Sequence, residues 1–350
     1  MKIIELEALR GFAAFYIFFH HTFVKYTHCN VYIAKFFIFG QEAVILFFLL
    51  SGYVIVMSQT KHNYNFKTYF IHRFARIYSI FLPTLIVAYF IYGIVYTIWS
   101  IDLYQLLLNI LMFQDKPELK PGVWVSPIFH DEPLWSLSYE WWFYIIFFIH
   151  FSCINMKKNG LFIFMTSSML ISFIGILTYK LYFNQISLFL MYYFIWASGG
   201  FLYLIYHDKY VQKTKYTIFL VILYIFLISL YYSIFIYNEK IFHYVNHPIL
   251  EIRHYLDGFI FIGFFIFIAR KPFYYKNLLI VKVFTKVFTK FAPISFAFYI
   301  IHYPIMLLFN NLNINGYLKI TIMFTVTVVI SYIMEILFYK KMILPRVKKV

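Results

Sequence analysis

Residues 10–21 read Arg10-Gly-Phe-Ala-Ala-Phe-Tyr-Ile-Phe-Phe-His20-His21. The run is apolar enough to enter a bilayer, yet it carries a guanidinium and two imidazoles. Ionisable side chains are costly inside hydrocarbon and as a rule mark function there. Arg10 and His21 are eleven residues apart, close to three turns of a helix. Both therefore lie on one face, with His21 roughly 16 Å further along the axis. A cation and a titratable base stacked in this way suit a site that grips an anionic group at one end and moves a proton at the other. A snorkelling arginine and a hydrogen-bonded core histidine account for the same pair equally well at this stage. His20 points about 80° away from Arg10, towards a neighbouring helix or lipid. Glu7 stands three residues before Arg10, within pairing reach on a helix.

Of 350 residues, 63% are hydrophobic, 25% aromatic and only 13% charged, and the apolar runs are long. The chain is a polytopic all-α membrane protein rather than a soluble domain. Windows of about 20 apolar residues predict crossings at 8–27, 36–57, 69–98, 134–153, 161–180, 187–206, 216–236, 255–269, 292–309 and 317–338. The run 101–113 is too short to cross and reads as interfacial. That leaves ten transmembrane helices in a single bundle over residues 1–350, with both termini on one side. The first span carries Arg10 and lacks a small-residue cleavage pattern, so it reads as retained rather than as a signal peptide.

The formal charge of +16 does not argue for nucleic acid, because the cations are scattered between hydrophobic spans. With a cytoplasmic N-terminus, 21 of the 30 Lys and Arg residues fall in inner segments and 8 in outer ones. This is the asymmetry of the positive-inside rule, so both termini are expected in the cytoplasm. Cys29 and Cys153 are too few for a disulfide framework, and this topology puts them on opposite sides. The outer segment 114–133 is long, polar and proline-rich, and serves either as a functional loop or as a plain connector. In the inner segment 276–290, Lys282, Lys286 and Lys290 recur every four residues, as on an interfacial amphipathic helix. An anchor on anionic lipid is the simpler role for that helix, and a contribution to binding a phosphorylated substrate is the other.

Four more clusters bear chemistry. Arg73 and Arg76 lie one turn apart in His72-Arg73-Phe-Ala-Arg76-Ile-Tyr78, a spacing suited to phosphate, although arginines at an inner helix end are also ordinary topological signals. In Leu134-Trp135-Ser136-Leu-Ser-Tyr-Glu140-Trp-Trp-Phe-Tyr144, Ser136, Glu140 and Tyr144 share a face. The aromatic residues fit a membrane belt, but a carboxylate one to two turns inside does not. Ser51-Gly52 in Phe47–Tyr53 suits close helix packing. His302 in Ser295-Phe-Ala-Phe-Tyr299-Ile-Ile-His302-Tyr-Pro304 reads either as a core histidine or as part of a site. No zinc-type His/Glu spacing, P-loop or dinucleotide fingerprint occurs, so no metal is expected.

In this order the five pieces resemble the acyltransferase-3 family of integral membrane acyltransferases. Its opening Arg-x10-His matches Arg10 and His21, and its Phe-Phe-x-Leu-Ser-Gly-Phe matches Phe47 to Tyr53, with Tyr last. Its Arg-x-x-Arg-Ile-x-Pro matches Arg73, Arg76 and Ile77, with Ser79 in place of proline. Its Trp-Ser-Leu-x-x-Glu-x-x-Phe-Tyr matches Trp135 to Tyr144, and its Ser-Tyr-x-x-Tyr-x-x-His-x-Pro matches Ser295, Tyr299, His302 and Pro304, with Phe296 for the first Tyr. Ala43-Val44 stands where the family often has Gly-Val.

The resemblance implies an O-acetyltransferase of the bacterial cytoplasmic (inner) membrane, of the short membrane-only type. It would move acetyl from cytoplasmic acetyl-CoA, a co-substrate and not a bound cofactor, to a hydroxyl of a surface polysaccharide or lipid-linked sugar. It implies His21 as base or acyl-accepting group, Glu140 and Arg10 beside it, and Arg73, Arg76 and Arg10 on the CoA phosphates. Ser136, Trp135, Tyr144, Ser51, His302 and Tyr299 would support the acceptor or the site. The rival reading is a secondary transporter of an anionic or acylated metabolite. It predicts Gly/Pro-interrupted helices in corresponding halves, yet Gly and Pro number only 12 and 10 and no halves repeat. A structural component of a polysaccharide assembly complex would leave Arg10, His21 and Glu140 without a role.

Overall fold

A computed structural model describes residues 3–347 apart from 27–30, 157–158, 208–210, 238–242, 271–277, 311 and 313. Cys29 and the first two residues of the basic segment 276–290 lie outside the described residues. The described chain is helical, with no strand and one isolated bridge between Gln114 and Val125. Its helices are α1 (Ile3–His20), α2 (Val31–Phe36), α3 (Gly40–His62), α4 (Phe66–Tyr96), α5 (Leu103–Ile110), α6 (Leu134–Ser152), α7 (Gly160–Leu181), α8 (Gln185–His207), α9 (Lys213–Tyr231), α10 (Ile249–Arg270), α11 (Leu279–Phe291), α12 (Ser295–Asn310), α13 (Gly316–Tyr332) and α14 (Leu344–Val347). Wider π-helical turns extend α1 over His21–Tyr26, α9 over Tyr232–Ile236 and α13 over Ile333–Ile343.

Eight helical segments among the described residues are long and apolar enough to cross a membrane. The helices α1 and α6 fall outside that set, although their 18 and 19 residues reach about 27 and 28 Å at 1.5 Å per residue. What lowers their hydropathy includes the site residues themselves, Arg10 in one and Glu140 in the other. The run 101–113 contains only the eight-residue α5, about 12 Å long. Its N-cap Asp102 accepts from the amides of Tyr104 and Gln105, while Leu103, Tyr104 and Leu107 stay exposed.

The hub is α8, in which 19 of 23 residues are buried. It packs against α3 at a crossing of small residues. A Cβ on Gly52 would stand 1.9 Å from the carbonyl oxygen of Trp196, and one on Gly199 would stand 1.8 Å from that of Leu49. The two backbones therefore touch directly, which only glycine permits. Elsewhere the abundant aromatic rings interlock edge to face, as Phe48 with Phe143 and Tyr139 with Phe189, the geometry favoured by ring quadrupoles. The basic helix α11 lays Phe284 and Phe288 on Phe12 of α1. It leaves Lys282, Lys286 and Lys290 exposed, together with Val283 and Val287.

The loop between α5 and α6 is folded into the bundle. Lys120 and Asp115 form a buried ion pair at 3.0 Å. Tyr139 donates to the same carboxylate at 2.6 Å, and the ammonium sits over the Trp135 ring at 4.4 Å. A buried charge needs this many partners to be tolerated. The loop is thereby pinned, and its last residues, Asp131 and Glu132, come to rest beside α12.

Candidate active site

The helices α1, α3, α4, α6 and α12 enclose a cavity of about 410 Å³. One end is lined by Tyr64, His72 and Val347, where α3 ends, α4 begins and α14 closes over. Its middle carries Arg10, Arg73, Arg76, Ser51, Glu140 and Tyr144, and its far end carries Ser136 and Tyr299. Four of the five motifs read in the sequence thus supply one wall each, and Arg10 of the fifth supplies another.

The three arginines differ in what already holds them. Arg76 is bonded to Glu335, which is almost fully buried, and it is stacked against Phe296 and Tyr339 at 4.7 and 4.9 Å. Arg10 donates to the carbonyl of Ala292 at 3.1 Å, and its Nε is buried without a partner. Arg73 has no carboxylate partner among the described residues. Its guanidinium lies over the rings of Tyr69 and Tyr144 at 5.5 and 5.9 Å, and its buried Nε is also unbonded. The cavity therefore offers two guanidinium groups with donors to spare and a third neutralised by a carboxylate.

Glu140 faces this group. Ser51 donates to its Oε1 at 2.8 Å, and Tyr144 donates to the same oxygen. At the far end the hydroxyls of Ser136 and Tyr299 are 2.7 Å apart, and Tyr299 also donates to the carbonyl of Pro133.

His21 lies beyond that end, at the point where α1 widens into its π-helical turn. It is buried, with Nδ1 2.8 Å from Nε2 of His302. The two rings are nearly parallel, at 10°. Nδ1 of His302 is 2.7 Å from the carbonyl oxygen of Tyr299. The Tyr303 ring meets His21 edge-on at 5.1 Å, and its hydroxyl donates to Glu132 at 2.7 Å. Glu132 is paired in turn with Lys116. His20 turns the other way, packs on Gly40 and contacts the carbonyl of Phe37.

Glu132 also lines a second cavity, of about 520 Å³, near the opposite end of α4. Its wall holds Asp102, Glu118 and Glu132, the aromatic residues Tyr92, Phe129 and His130, and Ser100, Gln105 and Ser126, with no Lys or Arg among the described residues. Among the described residues the two cavities share no lining residue. A chain of contacts joins them: Tyr299 of the first wall is bonded through its carbonyl to His302, His302 to His21, the His21 ring meets Tyr303, and Tyr303 donates to Glu132 of the second wall. Asp131, next to this wall in sequence, is fully buried with neither carboxylate oxygen hydrogen-bonded. Burial, with the neighbouring Glu132, pushes its carboxyl well above the usual range.

The sequence-read residues thus separate into two groups. Arg10, Arg73, Arg76, Ser51, Glu140, Tyr144, Ser136 and Tyr299 line the first cavity. His21 joins His302 outside it, and Glu140 belongs with the arginines rather than with the imidazole. Trp135 faces the buried Lys120 and stacks parallel to His254, away from both. Glu132, Tyr303 and Glu335 join these residues in the structure without holding a fixed place in a motif legible in the sequence. Glu335 carried a usable signal, a lone carboxylate in the last apolar run; Glu132 carried none beyond its place in a polar loop. No group of three or more His, Cys, Asp or Glu side chains among the described residues is arranged to hold a metal ion.

A family model described as an acyltransferase domain, that of acyltransferase-3, matches residues 3–336. No curated protein and no solved structure matches the chain.

Proposed function

The chain belongs to the acyltransferase-3 family, and from that premise we propose that it is an O-acetyltransferase carrying acetyl from cytoplasmic acetyl-CoA to a hydroxyl of a surface polysaccharide or lipid-linked sugar. The observation that carries this reading is the chain of contacts through the two imidazoles that joins a cavity lined by arginines to a cavity lined by carboxylates and rings. The first suits an anionic donor and the second a hydroxyl-rich acceptor without negative charge. We place ten crossings in a bacterial inner membrane with both termini inside, so that the arginine cavity opens to the cytoplasm.

Arg73 and Arg10 then meet the CoA phosphates through charge-assisted hydrogen bonds, with Arg76 released to them as Glu335 lets go. The pantetheine arm follows the cavity past Glu140 and Tyr144. The acyl end reaches the imidazoles when the Ser136–Tyr299 contact opens. There the acceptor hydroxyl loses its proton to His21 and attacks the thioester carbonyl. The carbon–sulfur bond breaks, and the departing thiolate takes the proton back from His21, leaving an acetyl ester and CoA. In the two-step variant His21 accepts the acetyl first and the acceptor removes it.

The test compares a deletion strain with complemented strains by proton NMR of O-acetyl signals on the surface glycan. The parent protein restores them; His21→Ala inserts normally and restores less than about 1% of them, since a general base supplies about 10²–10⁴ in rate. Full signal from His21→Ala removes that residue from the chemistry. His20→Ala, on the other side of the helix, retains most of the signal. In purified protein, Arg73→Ala weakens acetyl-CoA binding about tenfold or more, the worth of a hydrogen bond to a charged group. Normal affinity in that variant places the phosphates elsewhere. Flux of an anionic metabolite without thioester cleavage would establish the transporter instead.

A further inference from the structure

We infer that His302 is a positioning residue that sets the tautomer of His21, so that Nε2 of His21 is the nitrogen presented to the reacting hydroxyl. One atom in the cluster has no choice of role. The carbonyl oxygen of Tyr299 only accepts, and Nδ1 of His302 lies 2.7 Å from it; that nitrogen therefore carries the hydrogen. A neutral imidazole has one N–H, so Nε2 of His302 bears a lone pair. Nδ1 of His21, 2.8 Å away, must then donate, which leaves the lone pair of His21 on Nε2. The chain runs from a backbone carbonyl through His302 to His21 and fixes both rings, in the way that a hydrogen bond on one ring nitrogen decides the state of the other.

The arrangement also suits the proton's return trip. When Nε2 of His21 takes the acceptor's proton, Nδ1 keeps its own and goes on donating to His302. The bond between the rings survives in both states, and the lone pair of His302 stabilises the imidazolium. Nothing has to rotate during turnover, which is the advantage of a preorganised acceptor. The anchor is firm because Tyr299 and His302 are three residues apart on α12. His21 is further held by the Tyr303 ring at its edge, with 86° between the planes. The same logic orients the base in hydrolytic triads, where the wrong tautomer costs about 10⁴ in rate.

The base role rests on the proposed function, whereas the tautomer does not, so the experiment reads them separately. Protein with ¹⁵N-labelled imidazoles in lipid bilayers is examined by solid-state NMR, the His21 signals being those lost in His21→Ala. The expected result is a protonated Nδ1 and a bare Nε2 at His21. His302→Leu, similar in size but unable to accept, loses that pattern and at least about a hundredfold of glycan O-acetylation, with acetyl-CoA affinity unchanged. His302→Gln, whose amide oxygen can accept from Nδ1, restores the pattern and much of the activity, and stands in if the Leu variant fails to insert. A proton on Nε2 of His21 in the parent protein overturns the inference. So does an unaltered pattern in His302→Leu, or a Gln variant that keeps the pattern yet loses turnover. A parent protein with the expected pattern that transfers no acetyl leaves the tautomer assignment standing and sinks the function.

Discussion

At the scale of single residues, ionisable side chains in this protein fall into those with partners and those without, and the second kind are informative. Among the described residues Arg73 lacks a carboxylate partner and the carboxyl oxygens of Asp131 lack any hydrogen bond, while Arg76, Lys120 and Glu132 are each held by an opposite charge. Asp131 yields a pH prediction outside the spans. Burial raises its carboxyl in the folded protein, so folded and unfolded chains both carry the proton below the ordinary value near 3.9. Above that value the unfolded chain ionises first and the folded state loses stability, by up to about 1.4 kcal/mol per pH unit, until the raised value is passed. Asp131→Asn cannot ionise. Its thermal midpoint in detergent therefore gains on the parent as pH rises from about 4 to 8, and a gap that stays constant would show that Asp131 titrates normally.

At the scale of elements, the decisive contact is the crossing of α3 and α8, where Gly52 and Gly199 bring backbone to backbone. Gly52→Ala forces the two helices apart and lowers stability by about 1–3 kcal/mol or more, the cost of overpacking. Gly263→Ala in α10 meets nothing within 4 Å and leaves the unfolding temperature unchanged or slightly raised, because alanine is the better helix former. Equal behaviour of the two variants would refute the close approach. The sequence announces this crossing, since Ser51-Gly52 stands in a motif read for packing. It also announces the long spans through hydropathy, and the cavity wall through charges that no bilayer tolerates idly. The partners of His21 are less legible. Helical periodicity places it above Arg10, but α1 opens into a π-helical turn at that very residue. The imidazole finds His302 on α12, and an apolar pattern does not encode which helix will stand opposite. Glu132 is hidden for a similar reason, because its place depends on how the buried Lys120–Asp115 pair folds the loop.

At the scale of the whole molecule, the orientation inferred from the lysines and arginines can be checked with a thiol the protein already has. Cys153, just past the end of α6, is exposed, and the charge asymmetry assigns it to the cytoplasmic side. In a Cys29→Ser background, a membrane-impermeant maleimide labels the protein only after cells are opened; labelling of intact cells would invert the topology. That orientation gives the wall between the two cavities an electrical meaning. Moving one elementary charge through 100 mV is worth about 2.3 kcal/mol, so an aqueous passage through the bundle would discharge the cell's energised envelope. Among the described residues the cavities have no lining residue in common, and in the proposed reaction the acceptor's proton takes the place of the acetyl group on sulfur, so that no net charge crosses. Turnover in the proposed reaction is therefore expected to be voltage-silent, and abundant expression to leave a cell's own proton-motive force intact.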